Sequence, residues 1–260
     1  MSSAPPTPSG LSNDELLRLL ELLKGADSVE LKLTVPAPHQ RSTLEALELD
    51  PLEAQIRQVF FFETPALDLD AHGVVVRARR IQGRGGDSIV KLRPVVPSEL
   101  PDELRRSGAF RVEVDALPGG FVCSGTLKGA PAADDIRRAA GGKLPVKKLF
   151  SKEQRQLFAA HAPQGIELDD LTVLGPIFVL KLRSVPPALG RKLATEMWIY
   201  PDGSRILELS TRAATDETFQ VAAEVRAFLV GRGIEVSGEQ ETKTRKALEY
   251  FTRELATEKP

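Results

Sequence analysis

Between Val74 and Arg93 the chain reads Val-Val-Val-Arg-Ala-Arg-Arg-Ile-Gln-Gly-Arg-Gly-Gly-Asp-Ser-Ile-Val-Lys-Leu-Arg. A β-branched run carries Arg77 and Arg79 two apart, and Gln82 to Asp87 supplies a glycine-rich turn. A second apolar run then carries Lys91 and Arg93 two apart. Such a pattern predicts a β-hairpin. Side chains alternate across a strand, so each basic pair lies on one face of the sheet. Four like charges on one face of one hairpin are costly unless something anionic meets them.

The pattern recurs outward from this hairpin. Upstream, Ser28 to Val35 alternates Val29, Leu31, Leu33 and Val35 with Ser28, Glu30, Lys32 and Thr34. The run Gln58-Val59-Phe60-Phe61-Phe62-Glu63-Thr64-Pro65 predicts an apolar strand stopped by proline. Downstream, Phe110 to Asp115 places Arg111, Glu113 and Asp115 on one face, and Leu171 to Arg183 predicts two short strands around Gly175-Pro176, the second bearing Lys181 and Arg183. Lys192–Tyr200 and Arg205–Thr211 flank the turn Pro201-Asp202-Gly203-Ser204, with Glu196 on the first arm and Glu208 and Ser210 on the second. Gly119–Gly129 reads equally as a strand or an irregular loop, and Leu49–Val59 as a short helix. Helices are predicted at Ser12–Gly25, opened by the capping box Ser12…Glu15, and at 101–107, 134–140, 215–231 and 239–255, with Lys152 and Arg155 on or near another. The leucines of the first of these read as core, residues 1–11 as a disordered leader and 12–260 as a single domain.

Composition narrows the function. Lys and Arg number 35 against 36 Asp and Glu, a net charge of −1, so the molecule as a whole has no reason to seek nucleic acid or an anionic membrane. One cysteine excludes an intrachain disulfide and a multi-cysteine zinc site, and three scattered histidines disfavour a histidine-rich metal site. No apolar run has membrane-spanning length and the first residues lack a basic-then-apolar signal, so the expected compartment is the cytoplasm. A sheet face lined with charge along many strands is open to water or curls so that the charges point inward. Glu, Lys and Arg are poor strand formers, which favours the second arrangement. Arg pairs grip phosphate, and grouped carboxylates hold Mg²⁺ or Mn²⁺. That combination suits phosphoryl transfer from a polyphosphate.

These segments, in this order, resemble the CYTH superfamily, the triphosphate tunnel metalloenzymes: Ser28-Val29-Glu30-Leu31-Lys32 for its opening Glu-x-Glu-x-Lys, Phe61-Phe62-Glu63-Thr64-Pro65 for its aromatic strand, then the basic hairpin, the acidic strand and the terminal acidic hairpin. The resemblance covers roughly residues 28–250. It implies an α+β fold, a closed eight-stranded antiparallel β tunnel with flanking helices, which takes a small-molecule triphosphate or polyphosphate along its axis. It implies metal ligation by Glu30, Glu196 and Glu208, with Mg²⁺ or Mn²⁺ as cofactor. Phosphate binding falls to Lys32, Arg77, Arg79, Lys91, Arg93, Lys152, Arg155, Lys181 and Arg183, with Lys243 over the tunnel mouth. Catalytic roles fall to Lys32, Glu113 and Asp115, the two carboxylates orienting the basic residues or a metal-bound water. Ser28 and Ser210 stand where the family has carboxylates, which weakens the expected metal site. The leading expectation is a metal-dependent triphosphatase, against a non-catalytic polyphosphate or nucleotide binder and, third, a class IV adenylate cyclase. The first helix and the excursion at 94–109 lie outside the family pattern and could narrow the tunnel mouth or carry homodimer contacts.

Overall fold

The computed structural model describes residues 12–235 and 243–257, without the side chains of Ala256 and Thr257. The expected leader 1–11 and the first residues of the expected last helix, 239–242, lie outside the described residues. Strands in chain order are β1 (Ser28–Val35), β2 (Gln55–Glu63), β3 (Val74–Ile81), β4 (Gly86–Leu92), β5 (Phe110–Leu117), β6 (Gly120–Gly129), β7 (Thr172–Ser184), β8 (Leu193–Ile199) and β9 (Arg205–Ala213). Helices are α1 (Asn13–Gly25), α2 (Gln40–Ala46), α3 (Asp68–Ala71), α4 (Asp102–Arg106), α5 (Ala133–Ala140), α6 (Lys152–His161), α7 (Thr218–Gly231) and α8 (Lys243–Thr257).

Among the described residues, nine strands close into one barrel in the order β1-β5-β6-β4-β3-β2-β7-β8-β9. The expected eight-stranded antiparallel tunnel is therefore corrected to a mixed barrel. A ring of strands that reverses direction at every step needs an even count, so a ninth strand forces one pair of neighbours to run the same way. That pair is β1 and β5, with Ser28 opposite Glu113 and Glu30 opposite Asp115. The segment that read as strand or loop is β6, paired to both β4 and β5.

Two further local readings change. Leu49–Val59 holds only a 3-10 turn at Pro51–Glu53, capped by the Asp50 carboxylate, which accepts from Leu52 N at 2.8 Å. β2 then starts at Gln55, because the alternation Gln55, Arg57, Val59 fits the pleat. Thr172–Ser184 is one strand rather than two; its register with β2 shifts between Val59 and Phe61. Gly175 at this irregularity has φ +142°, and a Cβ there would lie 2.8 Å from the Val59 carbonyl oxygen.

The main core lies outside the barrel. Val29, Val76, Val90, Val112 and Val114 point outward and bury against Leu19, Leu22 and Leu23 of α1, Ile136 of α5 and Phe158 of α6. The capping box of α1 forms as read, but only half of its leucine face is core, and Leu17 stays 62% exposed. The inner face is apolar at one end, where Val59, Phe61, Val179, Trp198, Tyr200 and Ile206 pack on Ala247, Leu248 and Phe251 of α8. α8 thereby stoppers that end, and its first described residue, Lys243, faces the rest of the lumen. No helix among the described residues is long and apolar enough to cross a membrane.

Candidate functional site

The lumen is a cavity of about 290 Å³. Among its described lining residues eleven are Lys or Arg and five are Asp or Glu, a local excess of six cations in a chain whose net charge is −1. Period-two alternation on the strands produces this lining, since the same alternation that sends valines outward sends charges in.

The basic hairpin behaves as its sequence suggests: Arg77, Arg79, Lys91 and Arg93 all line the cavity. Arg79 is held by Asp87, its cross-strand partner, through Nε–Oδ1 at 2.7 Å and Nη2–Oδ2 at 2.6 Å. Arg77 is not held: its buried Nε has no hydrogen-bond partner. Burial, reinforced by the neighbouring Arg79 charge, pushes its guanidinium down to about 10.

Asp115 organises one wall. Its carboxylate is 2.7 Å from Lys32 Nζ, 3.4 Å from Lys91 Nζ and 2.8 Å from Arg93 Nη2. Burial favours its neutral form, but these three cations outweigh burial and hold the carboxyl far below the aspartate range. Burial likewise lowers Lys91, to about 8, against the partial opposition of Asp115. Glu113 pairs with Arg212.

The opposite wall carries Glu196 and Glu208, register partners on β8 and β9. Lys243 Nζ bridges them at 2.7 Å from Glu196 Oε2 and 2.6 Å from Glu208 Oε1, while Lys181 Nζ lies 2.6 Å from Glu196 Oε1. Trp198 Nε1 also donates to Glu196 Oε2 at 3.0 Å. Despite burial, Lys243 and Lys181 hold the Glu196 carboxyl well below its ordinary value. Burial works against the Lys243 charge too, yet Glu196 and Glu208 raise its pKa above that of an ordinary lysine. Glu30 accepts from Ser210 Oγ at 3.2 Å and lies 3.6 Å from Lys32 Nζ.

Glu30, Glu196 and Glu208 thus share one cavity and offer the oxygen donors that a hard divalent ion needs. As arranged they do not fit one. Among the described residues no three Asp, Glu, His or Cys side chains converge as a metal cluster. Both Glu196 oxygens and one oxygen of Glu208 are taken by ammonium groups.

Of the other expected residues, Lys181 and Arg183 line the cavity. Lys152 and Arg155 do not: they sit on α6, where Arg155 donates to the Phe150 carbonyl at 2.9 Å. Ser28 is also outside the lining. Sequence reading passed over Arg57, Lys128 and Arg212, all of which line the lumen, and took Trp198 for packing alone. Arg57 was hidden by the helical reading of 49–59, and Arg212 by a strand end placed one residue early. The acidic residue of Phe-Phe-Glu-Thr-Pro is structural: Glu63 accepts from the backbone N–H groups of Thr64, Leu69 and Asp70 at 2.8, 3.0 and 2.9 Å, fixing α3.

No family model and no curated protein matches the sequence. Solved structures do. The candidate adenylyl cyclase HpAC1 of Hippeastrum, described as having a dominant triphosphatase activity, superposes with a TM-score of 0.60 at 18% identity, over 82% of this chain and 91% of that one. A candidate adenylate cyclase of Bacillus halodurans, bh2851, superposes with a TM-score of 0.58 at 12% identity, over 85% of this chain and 97% of that one. At such identities the likeness is one of fold alone.

Proposed function

We propose that the protein hydrolyses the terminal phosphoanhydride of a small triphosphate held inside the barrel, inorganic triphosphate being the simplest candidate. The observation that carries this reading is the excess of six basic side chains around a closed, narrow lumen. Enclosed charge of one sign is strongly destabilising until a counter-charge arrives, and a triphosphate supplies several negative charges along a slender frame. Phosphoryl transfer asks for positioning and charge neutralisation more than for covalent chemistry. In this reading Lys32, Arg77, Arg79, Lys91, Arg93, Lys181 and Arg183 hold phosphate oxygens. Asp115, locked to three cations, orients Lys32, Lys91 and Arg93 rather than moving a proton. Mg²⁺ or Mn²⁺ enters as part of the substrate, complexed to its phosphates.

A second reading is favoured by a specific observation: Glu30, Glu196 and Glu208 are bound up with Ser210, Lys181 and Lys243. A protein so arranged could capture a polyphosphate without cutting it. The adenylate cyclase reading ranks third. Trp198, the only tryptophan, is 2% exposed and packed in the α8 stopper, which leaves no free platform for adenine there.

The deciding experiment measures phosphate release from inorganic triphosphate, ATP and thiamine triphosphate, with Mg²⁺, with Mn²⁺ and with chelator, alongside cyclic AMP formation from ATP. Phosphate release from one substrate supports the hydrolase. Tight calorimetric binding of triphosphate without release supports the binder, and neither binding nor release sinks both readings.

A further inference from the structure

Glu196 and Glu208 stand directly opposite each other in the β8–β9 ladder, a placement that is unfavourable for like charges. The Lys243 ammonium lies between them, 2.7 and 2.6 Å away, and Lys181 closes on the far oxygen of Glu196 at 2.6 Å. Two carboxylates and two ammonium groups make this cluster locally neutral. We propose that Lys243 is the resident cation of the Glu196–Glu208 pair, and that it keeps divalent ions out of the free protein.

Three observations carry this. Lys243 Nζ takes one oxygen from each carboxylate, Glu196 Oε2 and Glu208 Oε1, so the pair is already bridged by a cation. The ammonium is also held in place by its surroundings, 5.0 Å from the centre of the Trp198 ring, while the Trp198 indole braces the same Glu196 oxygen. Being tethered to α8, it competes with ions in solution as an intramolecular partner that needs no diffusional encounter. Finally, the third lumen carboxylate, Glu30, accepts from the neutral hydroxyl of Ser210 and lies near Lys32, so it too is already engaged. A divalent ion arriving alone would therefore add two positive charges to a balanced cluster inside an already cationic lumen. It can enter only if Lys243 leaves or a polyanion comes with it; the second route rests on the triphosphate reading above, the exclusion itself does not.

The test is binding of Mn²⁺ to the full chain with no phosphate compound present, followed by loss of the free-ion EPR signal. Wild type is expected to leave Mn²⁺ free. Lys243→Met is expected to bind it at least about tenfold more tightly than wild type, as oxygen donors are released. Lys243→Met/Glu208→Gln is expected to lose that gain. Thermal unfolding checks that the variants fold, and Lys243→Gln serves if the methionine is not accommodated beside Trp198. Tight Mn²⁺ binding by the wild type overturns the proposal without any variant, and so does a folded Lys243 variant that gains nothing. Phosphate release is not measured in either arm, so an inactive protein would sink the hydrolase and leave this result standing.

Discussion

Lys32 and Asp115 meet across the one parallel seam among the described strands, Nζ to Oδ1 at 2.7 Å. Asp115 is 1% exposed and also serves Lys91 and Arg93, so it is the shared counter-ion of three cations. Asp115→Asn is expected to destabilise the fold by about 3–5 kcal/mol, the cost of leaving buried charge unpaired. Denaturant unfolding measures it, and added triphosphate should recover more stability in the variant than in the wild type. Because the folded-state pKa is depressed, the stabilisation is present above the ordinary aspartate value of about 4 and is lost as the pH falls below it. An Asn variant as stable as wild type would remove Asp115 from this role.

Arg77 and Arg79 share a face and should nonetheless respond oppositely. Arg77→Ala removes a buried guanidinium whose Nε is unpartnered, so stability should hold or rise while triphosphate affinity falls. Arg79→Ala strips Asp87 of its two-point partner and should cost about 1–3 kcal/mol. Melting curves and calorimetry on the two variants separate the effects; equal melting temperatures would contradict the distinction.

Lys91, lowered by burial to about 8, predicts two pH effects of opposite sign. Triphosphate binding needs its charge, so affinity should fall as the pH rises through 8, by up to about tenfold per unit. Stability of the free protein should rise from pH 8 towards about 10.4, because there the unfolded chain binds the proton that the folded one refuses. Lys91→Met should flatten both profiles. Calorimetry and melting across that range are the measurements.

Glu63→Ala should separate fold from site. It leaves three backbone N–H groups without their acceptor, at a cost of about 1–3 kcal/mol or more, yet Glu63 does not line the lumen. A lower melting temperature with unchanged triphosphate affinity is expected, and an affinity loss in the folded variant would place Glu63 in the site.

The lumen was legible in the sequence wherever a strand repeats charge at period two, as at Arg77/Arg79 or Lys181/Arg183. It was illegible at three cations that lack a like-charged neighbour two residues away. Arg57 has glutamines around it, Lys128 follows a run with no charge at all, and Arg212 lies beyond the point where alternation is evident. Lys152 and Arg155 misled because basic spacing on a helix says nothing about a barrel interior. The ninth strand was hidden because Gly120–Gly129 draws its pairing from β4 and β5 rather than from any pattern of its own. Lys243 was found, but its contact with a carboxylate pair depends on how α8 seats on the barrel, which one sequence does not encode locally.

The seam at β1 also governs how the chain can assemble. Residues 28–35 take one neighbour from 113–116 and the other from 207–213. Closure therefore joins partners separated by most of the polypeptide, a non-local pairing that slows folding. During synthesis β1 emerges before either partner and must wait, its edges open, until the terminal hairpin is made. Among the described strands, the earliest in the chain is the last to be satisfied.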